Sequence, residues 1–315
     1  MNGEPAVLTP QTQASQSLIE SEKQPASSLW GRIVTLFKLR VVALLVFASL
    51  GGAILGAGGR MTASSIILLL VTGTMSAAGA SAINQYLERD RDGLMKRTKH
   101  RPLAVGQLAR PQIALEVGLA LVVLSTLIAL PFNPALAVFL GLGALIYVGV
   151  YTIWLKPRTL LNIVIGGAAG SCAVLSGGAA TGSWTAPGVI LLALLVFTWT
   201  PTHFWSLALA YRNDYARADF PMLPVKVSPR QSAGWVFIHA LLSGFTALAL
   251  VVTPELGVVY LAITTLFTAW YWRQALRLLI KPTGKRALLV FIASNAYLGL
   301  VLLTASIAVL INYYF

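Results

Sequence analysis

Asn84, Glu88 and Asp92 stand four residues apart inside the run Asn84-Gln85-Tyr86-Leu87-Glu88-Arg89-Asp90-Arg91-Asp92. On a helix that spacing stacks an amide and two carboxylates into one stripe, with Asp90 on roughly the opposite face. An all-oxygen set of this kind suits a hard cation. Mg2+ keeps several waters and commonly bridges one or two carboxylates to substrate phosphates. The residues that follow, Met95-Lys96-Arg97-Thr98-Lys99-His100-Arg101-Pro102-Leu103, add cations able to bind a diphosphate and stabilise it as it departs. Arg97 and Arg101 suit that work better than Lys99, because guanidinium binds phosphate in a bidentate way. The plainer alternative is a solvated helix end in which Arg89, Arg91 and Lys96 neutralise Glu88 and Asp92.

A second cluster, Tyr211-Arg212-Asn213-Asp214-Tyr215, follows the apolar run Phe197-Thr198-Trp199-Thr200-Pro201-Thr202-His203-Phe204-Trp205. Pro201 inside that run predicts a kink or a break. His203 and Asp214 are eleven residues apart, so an unbroken helix would put them on one face, roughly 16 Å apart along the axis. Asp214 would then lie near the phosphates. His203, with Trp205 beside it, would lie deeper, where an ionisable group is expected to serve function. The alternative for His203 is a hydrogen-bonded core histidine, and for the aromatics ordinary packing.

The elements that carry these clusters are membrane spans. The chain is 57% hydrophobic and 10% charged, whereas soluble domains carry about a quarter charged residues. About 20 apolar residues cross a bilayer as a helix. Nine segments qualify: 41–58, 64–85, 112–131, 134–155, 160–182, 187–210, 233–253, 256–276 and 288–311. With the N-terminus inside, twenty-two of the 23 Lys and Arg residues fall on the inner side and only Arg60 falls outside. That asymmetry predicts cytoplasmic active-site loops and a periplasmic C-terminus. The net charge of +13 therefore reads as topology, and nucleic acid is not expected as a partner. Residues 1–28 are polar and rich in Ser and Gln, and predict a disordered tail ahead of one membrane domain over 29–315. The tail has neither signal-peptide nor transit-peptide character, which points to a bacterial inner membrane. Cys172, the lone cysteine, cannot form an intrachain disulfide.

These residues resemble the UbiA-type intramembrane prenyltransferases. The run Asn84 to Asp92, followed by Arg97-Thr98 and Arg101-Pro102-Leu103, is similar to their first signature, and most similar to that of the haem-farnesylating branch. Three further stretches fit: Arg158-Thr159-Leu160-Leu161-Asn162-Ile163-Val164-Ile165-Gly166-Gly167, then Trp199 to Trp205, then Asp214-Tyr215 through Pro221-Met222-Leu223-Pro224-Val225. Glu88 stands where Asp is usual. Asp214 has Ala218 four residues on, and the segment from Ser171 to Gly178 lacks the expected Pro-Pro and Gly-Trp. The resemblance implies an all-α fold with helices around a central cavity. It implies farnesyl transfer from farnesyl diphosphate to a vinyl group of protohaem IX, with water addition. Asn84, Glu88, Asp92 and Asp214 would be catalytic and hold Mg2+. Arg97, Lys99, Arg101, Tyr86, Asn162, His203, Trp205, Tyr211 and Arg212 would bind substrate, and Tyr86, Tyr147, Tyr151 and Trp205 could shield an allylic cation. Implied partners, besides the lipid bilayer, are haem A synthase and terminal-oxidase assembly proteins. A quinone precursor or a chlorin is the alternative acceptor. A transporter is the reading from another class, but it predicts acids at mid-membrane depth, whereas these acids lie at helix ends.

Overall fold

A computed structural model describes residues 28–314, and all regular structure among them is helical. The expectation for the polar tail, apart from Ser28, lies outside the described residues, as does Phe315. Helix starts follow local chemistry. The Ser28 side chain accepts from Gly31 N to open α1 (Leu29–Leu36), which is followed by α2 (Leu39–Ala57). Thr62 caps α3 (Ala63–Gly93), and α4 spans Gln112–Ala129. Asn133, with Pro134 at the first turn, opens α5 (Pro134–Ala144). That helix continues as a π-helix over Leu145–Leu155.

The next span is α6 (Asn162–Gly166) running into α7 (Ala168–Ala180). Then come α8 (Pro187–Ala210) and two short helices, α9 (Arg212–Arg217) and α10 (Leu223–Lys226). Ser228 and Gln231 form a capping box that opens α11 (Pro229–Ala249), and α12 (Gly257–Ile280) and α13 (Gly284–Tyr314) complete the chain.

Eight helices among the described residues are long and apolar enough to cross a membrane, against nine expected. The segment expected at 256–276 is α12, a helix of 24 residues that packs against α11 and α13 but is less apolar than the rest. Four of its hydroxyl side chains turn inward. Tyr260, Thr264, Thr268 and Tyr271 are buried, while Val258, Val259 and Leu266 are exposed. Tyr260 Oη donates to Ala247 O at 2.7 Å, and Thr268 and Tyr297 share a 2.9 Å hydrogen bond. Interior hydroxyls lower the hydropathy of a helix without making it shorter.

Helices α8, α11, α12 and α13 close a ring of pairwise contacts around Leu192, Leu195, Tyr260, Tyr271, Tyr297 and Val301. Helices α2, α3, α4, α5 and α7 pack as a second group. Close approach of α2 and α7 needs glycine: a Cβ on Gly177 would lie 1.8 Å from Ser49 O. Helix α8 continues through Pro201 without a break, and the expectation that it carries on to Asp214 is corrected: it ends at Tyr211, whose φ of −111° and ψ of 33° separate it from α9. Asp214 therefore does not continue the helical phase of His203.

Candidate active site

Helix α3 extends to Gly93 and carries the first cluster as a true stripe. Asn84, Glu88 and Asp92 are buried, whereas the Asp90 side chain is 86% exposed. Each side chain on the stripe is held by a cation from a different part of the chain. Lys38 Nζ donates to Asn84 Oδ1 at 2.6 Å. Lys156 Nζ donates to Glu88 Oε1 in a buried ion pair. Arg101 Nη1 donates to Asp92 Oδ2 at 2.6 Å. Leaving any of these carboxylates unpaired at such depth would be costly, so pairing is the physical condition for their burial.

Lys38 reaches the stripe through an unusual backbone. It sits between α1 and α2 with φ at +49°, a left-handed conformation that a non-glycine residue rarely adopts. Gln85, 1% exposed, fastens the turn: its Nε2 donates to Thr35 O at 2.6 Å and to Leu36 O at 2.8 Å. Lys38 Nζ also donates to Tyr147 Oη at 3.1 Å. Burial, with the Arg101 guanidinium nearby, pushes the Lys38 ammonium down to about 7.

The second cluster is built differently. Asp214 is buried near the start of α9 and pairs with Arg217 one turn on. Its Oδ2 accepts from Arg97 N at 3.3 Å, which docks the loop after α3 onto the second cluster. Met95 and Leu103 anchor that loop in the core, and Thr98 Oγ1 donates to Asp92 O at 2.9 Å. A cavity of about 340 Å3 lies against Asp214, lined also by Lys96, Tyr211, Arg212 and Arg217. Another of about 350 Å3 lies against Glu88, with Thr152, Ile153 and Phe220. The Phe220 ring faces Lys156 Nζ at 4.5 Å and the Arg91 guanidinium at 4.8 Å.

Several expected residues lie on these walls and others do not. Tyr211 and Arg212 line the Asp214 cavity, and Arg212 Nη2 also donates to Val227 O at 3.2 Å. Arg97 meets Asp214 through its backbone, while Lys99 is exposed. Tyr86 is off the stripe, with the Arg89 guanidinium 4.5 Å from its ring centroid. Asn162 is fully buried, donates to Thr159 O at 2.6 Å, and leaves Oδ1 without a partner. Trp205 is buried edge-on to His239, 5.1 Å between centroids, and its indole N–H has no partner.

His203 faces α13. It stacks on Trp199 at 4.4 Å, lies 4.5 Å from Phe291 and shares a 3.0 Å hydrogen bond with Ser294 Oγ. Ser294 gives its own proton to Phe291 O, so His203 Nδ1 carries the shared hydrogen and Nε2 keeps a lone pair. Lys38 and Lys156 are the residues that sequence reasoning missed as site groups. It counted them only as inner-side charges, and nothing local in the sequence separates them from topology cations.

The oxygens fit a hard divalent ion by donor type. The four expected ligands do not gather into one cluster, however. Among the described residues no three His, Cys, Asp or Glu side chains come together as a metal site. Each of the three stripe side chains meets a basic side chain that a metal would displace.

Residues 44–301 match the model of the UbiA prenyltransferase family. The chain is 44% identical over 283 residues to the protoheme IX farnesyltransferase of Metallosphaera sedula, covering 88% of this chain and 97% of that protein. It is 42% identical to the protein of the same name from Sulfurisphaera tokodaii, covering 88% and 93%. Its fold is similar to a solved structure of digeranylgeranylglyceryl phosphate synthase, with a TM-score of 0.74 at 16% identity over 89% of this chain and 98% of that one. It is also similar to a UbiA homolog from Archaeoglobus fulgidus bound to GPP and Mg2+, with a TM-score of 0.58 at 18% identity over 85% and 99%.

Proposed function

The chain belongs to the UbiA prenyltransferase family, and from that premise we propose that it transfers the farnesyl group of farnesyl diphosphate to a vinyl group of protohaem IX, with addition of water, giving haem O. Relatives at 42–44% identity along nearly their whole length are named protoheme IX farnesyltransferase, which supports the acceptor and the transferred group. The observation that carries the reading here is the stripe itself: three oxygen side chains at one helix end, each facing a displaceable cation.

In the reaction the C1–O bond of the donor breaks and its electron pair leaves with diphosphate. A vinyl carbon supplies the electrons of the new C–C bond. Water then bonds to the electron-poor carbon beside the ring and loses a proton. Lys38, Lys156, Arg97 and Arg101 receive diphosphate oxygens and hold the negative charge that develops on them. Asn84, Glu88 and Asp92 on the stripe, and Asp214 of the second cluster, are the residues that would hold Mg2+, which would neutralise that charge further. The A. fulgidus homolog with bound Mg2+ and GPP supports the choice of ion and donor class. Tyr147 and Tyr151, stacked 5.9 Å apart beside these cations, offer π-faces to the allylic cation. His203 serves the acceptor through its free Nε2 or by packing with Trp199 and Phe204.

The protein is a multi-pass membrane protein, and we place its active-site loops on the cytoplasmic side of a bacterial inner membrane. A thiol reagent unable to cross the membrane should fail to label single cysteines at 93–106 in right-side-out vesicles of a Cys172-free variant. Product mass spectrometry on purified protein given haem B, farnesyl diphosphate and Mg2+ tests the activity. A farnesylated, hydrated haem that disappears on chelation is expected. Farnesylation of a quinone precursor or a chlorin instead would overturn the acceptor.

A further inference from the structure

An α-helix turns about 100° per residue, so residues nine apart stand on opposite faces. Tyr147 and Lys156 are nine apart, yet both reach the α3 stripe, Tyr147 through Lys38 and Lys156 through Glu88. The reason is the π-helix between them. Lys156 N donates to Tyr151 O at 2.8 Å, a bond spanning five residues. With bonds of that span, a turn widens to about 4.4 residues, and nine residues complete about two turns. Tyr147, Tyr151, Thr152 and Lys156 then share one face. In an α-helix Thr152 would stand about 140° away from Tyr147.

Thr152 has one hydroxyl proton, and its Oγ1 donates that proton to Tyr147 O at 2.8 Å. Toward Asn84 it can only accept, and Asn84 Nδ2 donates to it at 3.1 Å. This fixes which way the amide points. Its oxygen must face the other side, where Lys38 Nζ stands at 2.6 Å. A flipped amide would set its oxygen against a hydroxyl with no proton left to give.

We propose that Thr152 is a positioning residue of the active site: brought to the stripe by the π-helical register, it holds the Asn84 amide with its oxygen turned toward the cation position. Neither Thr152 nor the π-helix belongs to the oxygen set itself. The inference rests on the reading of Asn84 as a metal ligand.

The test is Mn2+ binding, with free Mn2+ read by electron paramagnetic resonance. Purified full-length protein is titrated in the presence of unreactive farnesyl thiodiphosphate, against a protein-free control. Thr152→Val keeps the shape and loses the hydroxyl, and Mn2+ should bind about 10-fold more weakly or worse. Thr152→Ser keeps the hydroxyl and should restore near wild-type binding. In an Asn84→Asp background the two oxygens are equivalent, so Thr152→Val should cost no further affinity. A melting curve accompanies each variant, and Thr152→Ala is a second hydroxyl-free form should the valine protein fail to fold. Wild-type affinity in both hydroxyl-free variants, or equal loss in the valine and serine variants, would overturn the role of Thr152. A wild type that binds no Mn2+ would instead overturn the metal reading, and the inference with it.

Discussion

The two acidic clusters face the same kind of chemistry but are held in place by different means. The stripe on α3 sits on an unbroken helix, and its three cations come from the α1–α2 turn, the end of the π-helix and the loop after α3. Asp214 sits on a six-residue helix and pairs with Arg217 of that same helix, whose side chain is 46% exposed. The first arrangement exists only when four segments are assembled. The second is local, and Arg97 joins it to the first through its backbone N–H to Asp214 and its side chain to Tyr215. Burial and remote origin make a partner expensive to lose, whereas an exposed neighbour three residues away is close to optional.

The sharpest way to break this contrast is to remove carboxylates. Glu88→Ala and Asp92→Ala should each lower the rate by about 10²-fold or more. Glu88→Ala should also destabilise the fold by about 3–5 kcal/mol, because Lys156 is left buried without its partner. Steady-state kinetics and melting curves in detergent read both effects.

A comparison of the cations comes next. Lys156→Met should cost most of the activity, on the order of 10²-fold, whereas Arg217→Met should stay within about threefold. Equal losses would mean that the local pair matters as much as the assembled one. A smaller effect is expected at the α1–α2 turn. Gln85→Leu frees the carbonyls of Thr35 and Leu36, so Lys38 loses its left-handed anchor, and kcat/KM should fall about tenfold with little change in melting temperature. In a Lys38→Ala background the same change should cost nothing more. The smallest effect belongs to Asp90→Ala, expected within about twofold, because that side chain points to solvent beside Arg89. A loss equal to that of Glu88→Ala would show that the stripe does not act as one face.

The stripe was legible in the sequence because spacing by four on a helix is a rule of geometry that α3 obeys through Gly93. The spans were legible from hydropathy, except that α12 carries hydroxyls along its length and Arg273, Gln274 and Arg277 toward its end and so is less apolar than the other eight. The partners were harder. Arg101 follows Asp92 closely enough to be suspected, but Lys38 and Lys156 arrive from distant segments. The face that Lys156 shares with Tyr147 depends on a π-register that α-periodicity does not encode. Phase arithmetic failed for His203 and Asp214 because Tyr211 interrupts the helix between them, and His203 turned out to face α13.

The cation held on each stripe side chain has a consequence for the fold. Two bare carboxylates one turn apart would repel each other, and the chain would then need its ligand as a keystone. Here the counter-ions, Lys156 and Arg101, are tethered side chains. The charge balance of Glu88 and Asp92 comes from within the chain. Scarcity of metal or donor should therefore slow turnover without loosening the membrane domain, and each cycle resets from within the chain.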